Sequence, residues 1–151
     1  METQATVRTK QQASREFYKK LIKLAGAGCA AFWITDFLIS VSPIAAKYKA
    51  AFSISSLPLA LVQALVGGLI IGCCVSYFLL RFFDRLPGKT PLLKALILSL
   101  GAMIIIEVLS TLVDPAHAFT YLVLDTGMNI PRFLALGWTI GFAFDKQNRK
   151  V

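Results

Sequence analysis

Histidine and the residue patterns of common enzymes are nearly missing from this sequence. His117 is the only histidine, and the three cysteines, Cys29, Cys73 and Cys74, lack the two-residue gap of a CxxC redox or zinc pair. The chain has no HExxH pattern, no catalytic combination of histidine with serine or cysteine, and no glycine-rich phosphate loop. These absences predict a protein that is not an enzyme and that uses no metal ion or cofactor.

Charged residues are also scarce, at 16% of the chain, and they are unevenly spread. Six lysines or arginines precede Leu24 and three follow Phe144, whereas long stretches between these positions have none. Hydrophobic residues make up 56% of the chain and the mean hydropathy is +0.67, above the roughly 45–50% apolar content of soluble domains. Because this surplus must face lipid, the sequence predicts an all-α integral membrane protein with the lipid bilayer as its first partner.

The formal net charge of +8 invites comparison with proteins that bind nucleic acid. A nucleic-acid site, however, needs basic residues gathered on one face, often interleaved with aromatic residues. Here the basic residues lie beside apolar segments instead. We therefore expect no nucleic-acid partner, and we interpret the positive charge as a topology signal that also attracts anionic headgroups.

Four segments are long and apolar enough to cross a bilayer core, which needs about 20 residues of helix. They lie at about 24–46, 57–80, 92–113 and 119–144. A basic N-terminal segment, 1–23, and a basic tail, 145–151, flank them. The prediction is a bundle of about four transmembrane helices. Residues 10–20 fit either a short interfacial helix or a solvated tail.

Lysine and arginine in the connections set the predicted orientation. Besides the two termini, the basic residues gather between the second and third spans, at Arg81, Arg85, Lys89 and Lys94. The other two connections hold only Lys47 and Lys49. Because positive residues remain on the cytoplasmic side, both termini and the middle loop are predicted to be cytoplasmic, in a multi-pass protein of a plasma or inner membrane.

The two halves of the chain share a spacing. Lys23 precedes Asp36 by thirteen residues, and Lys94 precedes Glu107 by the same number. This spacing indicates a carboxylate at matched depth in the first and third spans, which suggests a tandem two-plus-two repeat of helical hairpins.

Glycine pairs four residues apart support the comparison, because they let helices approach closely. The second span has Gly68 and Gly72, and the fourth has Gly137 and Gly141. Two interpretations stay open at this point. The glycines either pack helices within one chain or form a homodimer interface.

Five polar residues fall inside predicted spans: Asp36, Glu107, Asp125, Asn129 and Arg132. Such residues are costly in lipid, so they are expected to face the bundle interior and to find partners there. Counting about 1.5 Å per residue places Arg132 within about one turn of the depth of Asp36. Residues 125, 129 and 132 project into one stripe of a helix. Three carboxylates then share one guanidinium.

The segment 125–131, DTGMNIP, favours an interruption of the fourth helix, because glycine and asparagine are poor helix formers and proline removes a backbone bond. One interpretation is a broken helix that lines a cavity. The other is a loop, preceded by an interfacial helix over 115–124 and followed by a short final span.

No motif names a reaction or a solute. The favoured interpretation is a non-catalytic accessory or assembly subunit of a larger membrane complex, with the polar residues acting as hydrogen-bonding anchors between helices. The alternative is an oligomeric transporter or channel for a small solute or ion, built around Asp36, Glu107 and Arg132. Both interpretations predict either a homo-oligomer or a larger membrane complex.

Overall fold

The computed structural model describes residues 2–43, 57–113 and 118–149. All regular structure in this part of the chain is helical. The helices are α1 (Glu2–Ser40), α2 (Leu57–Arg81), α3 (Pro91–Val113) and α4 (Ala118–Asn148), and a short 3-10 helix, Phe83–Arg85, lies between α2 and α3. The prediction of an all-α chain is therefore confirmed for the described residues.

Three of these helices are long and apolar enough to cross a membrane. The qualifying stretches are Arg8–Ser40, Leu57–Arg81 and Pro91–Ser110. The fourth helix is long, but six of the eight residues from 125 to 132 are polar or helix-breaking. Membrane localisation of the chain is thus supported by α1, α2 and α3.

The bounds of α2 and α3 lie within one residue of the predicted spans, but α1 differs at both ends. It begins at Glu2, so the basic segment 2–23 and the first span form one continuous helix. It ends at Ser40, before the predicted end at 46, and Ser42 then donates a hydrogen bond to the Ile39 carbonyl. Pro43 disfavours helical backbone at the preceding residue. Residues 44–56 lie outside the described part.

Neighbouring helices run antiparallel. Trp33 of α1 donates its indole N–H to the Leu61 carbonyl of α2 at 3.0 Å, and the rings of Phe32 and Phe133 meet edge to face with centroids 5.5 Å apart. The core lies between α1, α3 and α4 and the inner face of α2, and its fully buried members include Leu24, Leu79, Ala95, Leu136 and Ile140. Going round the bundle, the order is α1, α2, α3, α4, and the α2–α3 interface is the smallest of the four.

Local features of the sequence determine where the loop between α2 and α3 ends. Gly88 has φ +122°, a left-handed conformation that favours glycine. Thr90 accepts a hydrogen bond from the Leu93 N–H through its hydroxyl, and Pro91 occupies the first helical position. These features fix where α3 begins.

Lys94, although it lies at the basic end of α3, is buried at 7% exposure. Its ammonium donates to the Phe83 carbonyl at 2.6 Å and lies 3.9 Å from the centroid of the Phe83 ring. That ring stacks on Phe144 of α4, with centroids 5.0 Å apart. The lysine therefore fastens the 3-10 helix to α3 and α4.

We expect Lys94→Met to destabilise the protein by about 1 kcal/mol, because the Phe83 carbonyl loses its donor. The exposed Lys89, in the loop just before α3, provides the matched control, since Lys89→Met removes the same charge and breaks no hydrogen bond or ion pair with a residue that the structure describes. Thermal unfolding in mild detergent, followed by circular dichroism, measures both. Equal unfolding midpoints for the two variants would show that the contacts of Lys94 do not stabilise the fold.

Candidate functional site

A chain of polar contacts crosses the bundle from α1 through α4 to α3. Arg132 of α4 forms an ion pair with Asp36 of α1, with 2.6 Å between Nη2 and Oδ1. The same guanidinium donates through Nη1 to Oδ1 of Asn129 at 2.7 Å. Asn129 donates in turn through Nδ2 to Oε1 of Glu107 on α3, also at 2.7 Å. We call these four residues the polar network.

The helical repeat explains why these residues meet. Asn129 and Arg132 are three residues apart, so both face the interior of the bundle from one side of α4. Asp36 lies about 6 Å from the end of α1, and Glu107 about 9 Å from the end of α3, at 1.5 Å per residue. The two carboxylates thus approach the α4 stripe at nearly the same level, toward the ends of α1 and α3 that are away from the α2–α3 loop.

The polar network is well shielded. Asp36 and Glu107 are each 5% exposed, and Asn129 is 9% exposed. The Arg132 side chain is 15% exposed, and its Nε is buried without a hydrogen-bond partner among the described residues. Opposite charges in such surroundings attract one another far more strongly than in water, but a charge buried without a partner lowers the stability of the fold. The direct contacts are what make this burial tolerable.

Asp125, the fifth predicted polar residue, is half-buried on α4 and lies within hydrogen-bonding reach of Asn129, one turn away. It lies within electrostatic reach of Arg132 and Glu107. Three carboxylates therefore surround one guanidinium, and the region is negative by count. Among the described residues, no group of three or more His, Cys, Asp or Glu is arranged to hold a metal ion.

Neither expected interruption of the fourth helix is present. The segment 125–131 lies inside α4, which runs without a break from Ala118 to Asn148. Pro131 cannot donate to the Gly127 carbonyl, so one backbone bond is missing. Local preference is a weak determinant that packing overrides, and here the contacts of Asn129 and Arg132 with two other helices hold the stripe in register.

The four predicted packing glycines lie at helix contacts within the chain. A Cβ at Gly72 would lie 2.9 Å from the Ala25 carbonyl oxygen of α1, and one at Gly68 would lie 3.0 Å from the Phe32 ring. On the other side of the bundle, Gly141 faces the Leu92 backbone of α3, and Gly137 faces Ser99 and Ala95 of the same helix. Each pair thus packs one hairpin, α1–α2 or α3–α4.

Two polar features escaped the sequence analysis. Asn129 was placed on the right stripe, but its bridge from Arg132 to Glu107 was not foreseen. Ser76 of α2 is fully buried, and its hydroxyl has no hydrogen-bond partner among the described residues. The signal for the first was present, because an amide carries both a donor and an acceptor and can therefore join a cation to a carboxylate.

The polar network can hold three helices together through charge-assisted hydrogen bonds. Its members are two carboxylates, one amide and one guanidinium. No protein-family model, curated protein or solved structure matches this chain.

Proposed function

We propose that all four helices cross a membrane, with both termini and the α2–α3 loop in the cytoplasm. The distribution of lysine and arginine supports this orientation. The packing of α4 supports its inclusion: Arg132, at the middle of α4, meets Asp36, and Gly141, nearer its C-terminal end, meets the Leu92 backbone. The segment 129–141 of α4 therefore packs against α1 and α3 and lies at the depth of those two helices.

We also propose that the two hairpins are a tandem repeat. Asp36 of α1 and Glu107 of α3 occupy corresponding positions and reach the same stripe of α4. In each hairpin a Gly-x-x-x-Gly pair on the second helix faces the first helix. The shared spacing of the sequence therefore corresponds to a shared way of packing.

Our proposal for function is a non-catalytic accessory or assembly subunit of a larger membrane complex. The observation that carries it is the closure of the polar network. Arg132 binds Asp36 directly and reaches Glu107 through Asn129, so the network joins three helices and supports a role in cohesion of the bundle. A rigid, internally bonded bundle with an apolar exterior suits a protein that packs beside other membrane subunits.

Native mass spectrometry after mild detergent extraction from the source membrane tests this proposal. We expect the chain to emerge bound to larger membrane subunits. Emergence as a defined homo-oligomer, with no other subunit attached, would contradict the proposal and favour the second candidate.

The second candidate is an oligomeric transporter or channel for a small solute or ion. Three carboxylates against one guanidinium favour it, because the excess negative charge in the bundle calls for a proton or a cation. Glu107→Gln should then abolish flux through reconstituted protein while leaving the bundle folded, since it keeps the ion pair of Asp36 with Arg132 intact. Asp36→Asn should abolish flux as well, with a loss of stability because it breaks that pair. Unchanged flux in both variants would exclude this candidate.

A further inference from the structure

An apolar groove runs between α2 and α3, along the smallest interface of the bundle. Its volume is about 470 Å³. Ile70 and Ile106 line one end, Phe78 and Ile97 line the other, and Gly101 lies between them. A Cβ added at Gly101 would meet nothing within 4 Å, so the middle of the groove is open space.

Three cations follow the lining residues of α2 in the chain, at one end of this groove. Arg81 ends α2 only three residues after Phe78, and Arg85 and Lys89 follow in the α2–α3 loop. All three side chains are exposed, and none forms an ion pair with any residue that the structure describes. Asp84 is the one carboxylate in that loop, so the groove mouth keeps a net positive charge.

Lys94 does not belong to this group, although it is close in sequence. Its ammonium is buried and bonded to the Phe83 carbonyl. The Lys94 ammonium is therefore not placed to bind a ligand at the groove mouth. The cations in the N-terminal part of α1 and in the C-terminal tail lie on elements that do not line the groove.

The length of the groove matches one leaflet of a bilayer. Its lining extends from Ile70 to Phe78 on α2 and from Ile97 to Ile106 on α3, which corresponds to about 12–14 Å of helix at 1.5 Å per residue. The hydrocarbon of one leaflet is about 15 Å thick, half of the bilayer core. With the cations at headgroup level, the groove covers the acyl region of the cytoplasmic leaflet.

We propose that this groove binds one anionic phospholipid. An acyl chain lies between α2 and α3, and the phosphate accepts hydrogen bonds from Arg81, Arg85 and Lys89, the arginines being suited to bidentate contact. Charge complementarity at the mouth selects an anionic lipid over a zwitterionic one. The inference rests on the proposed membrane orientation but not on the proposed subunit role.

The probe is a mixed detergent micelle that contains equal amounts of phosphatidylglycerol and phosphatidylcholine. Native mass spectrometry of the full chain counts the lipids that stay bound. We expect one retained phosphatidylglycerol in preference to phosphatidylcholine. We expect the preference to fall about fivefold for each cation removed, in the series Arg81→Gln, Arg85→Gln and Lys89→Gln.

A matched control removes the same charge elsewhere. The control variant carries three substitutions together: Arg8→Gln, Lys10→Gln and Arg15→Gln. These residues are on the exposed N-terminal part of α1 and do not line the groove. This triple variant should bind as the unmodified chain does. Gly101→Phe should abolish retention by filling the groove, and the open space at Gly101 allows the fold to remain.

Equal retention of the two lipids would overturn the inference, and so would an equal loss in the control triple variant. The inference would also be overturned if the unmodified chain were a dimer and Gly101→Phe were a monomer. That result would mean that a second copy of the chain fills the groove. Failure of the membrane proposal itself would be visible separately, because alkaline carbonate would extract the protein from membranes.

Discussion

Replacing Arg132 with methionine is expected to destabilise the bundle by about 3–5 kcal/mol, the cost of leaving one member of a buried ion pair without its partner. Asp36 would remain at 5% exposure without the guanidinium that now lies 2.6 Å away. Asn129 would also lose the donor to its carbonyl oxygen. Methionine replaces much of the volume of arginine, so a packing defect contributes little to this loss.

A double-mutant cycle separates the pair from its surroundings. Asp36→Leu alone should also be strongly destabilising, because it leaves the buried Arg132 without its ion-pair partner. The double variant Asp36→Leu/Arg132→Met should recover much of the loss, since replacing both members of a buried pair with apolar residues is often neutral. Unfolding in mixed micelles with increasing sodium dodecyl sulfate, followed by circular dichroism, gives the three free energies.

The exposed pair of Arg149 and Asp145, whose atoms are 2.8 Å apart, is the internal control. Arg149→Met breaks an ion pair of similar length at the helix end, where the arginine side chain is 79% exposed. We expect little change in stability, because exposed pairs contribute little. If Arg132→Met and Arg149→Met behave alike, the polar network does not hold the helices together.

Hydropathy and helical periodicity account for most of what the sequence could predict. Long apolar segments placed α2 and α3 within one residue of their observed bounds. Counting residues along the spans gave depth, and depth put Arg132 level with Asp36, its partner in the structure. Depth does not fix the rotation of a helix about its own axis, so the bridge through Asn129 to Glu107 could not be derived from the sequence.

The continuous helix at 125–131 and the burial of Lys94, neither of which the sequence predicted, have a common physical cause. Glycine, asparagine and proline argue locally for a break at 125–131, but contacts with α1 and α3 hold that segment helical. Lys94 resembles any basic residue at a helix end until the loop folds back and places Phe83 over it. Both outcomes depend on groups that are distant in sequence, which local propensity does not record.

Replacing Gly72 with leucine is expected to separate α1 from α2 and to cost about 3 kcal/mol, the upper end of the usual range for overpacking. Even the first added atom would lie 2.9 Å from the Ala25 carbonyl oxygen. That obstacle is backbone, so no change of side-chain conformation can relieve it. The gain in helix propensity from removing a glycine, about 1 kcal/mol, is too small to compensate.

Gly67, the preceding glycine of the same helix, provides the matched control. A Cβ there would meet nothing within 4 Å, so Gly67→Leu should leave stability unchanged or raise it slightly. The pair of variants also decides between the two interpretations of the glycine motif. If Gly72 packs α2 against α1, Gly72→Leu lowers the unfolding midpoint at every protein concentration. If it formed a homodimer interface instead, the variant would change the oligomer mass and leave the monomer fold intact.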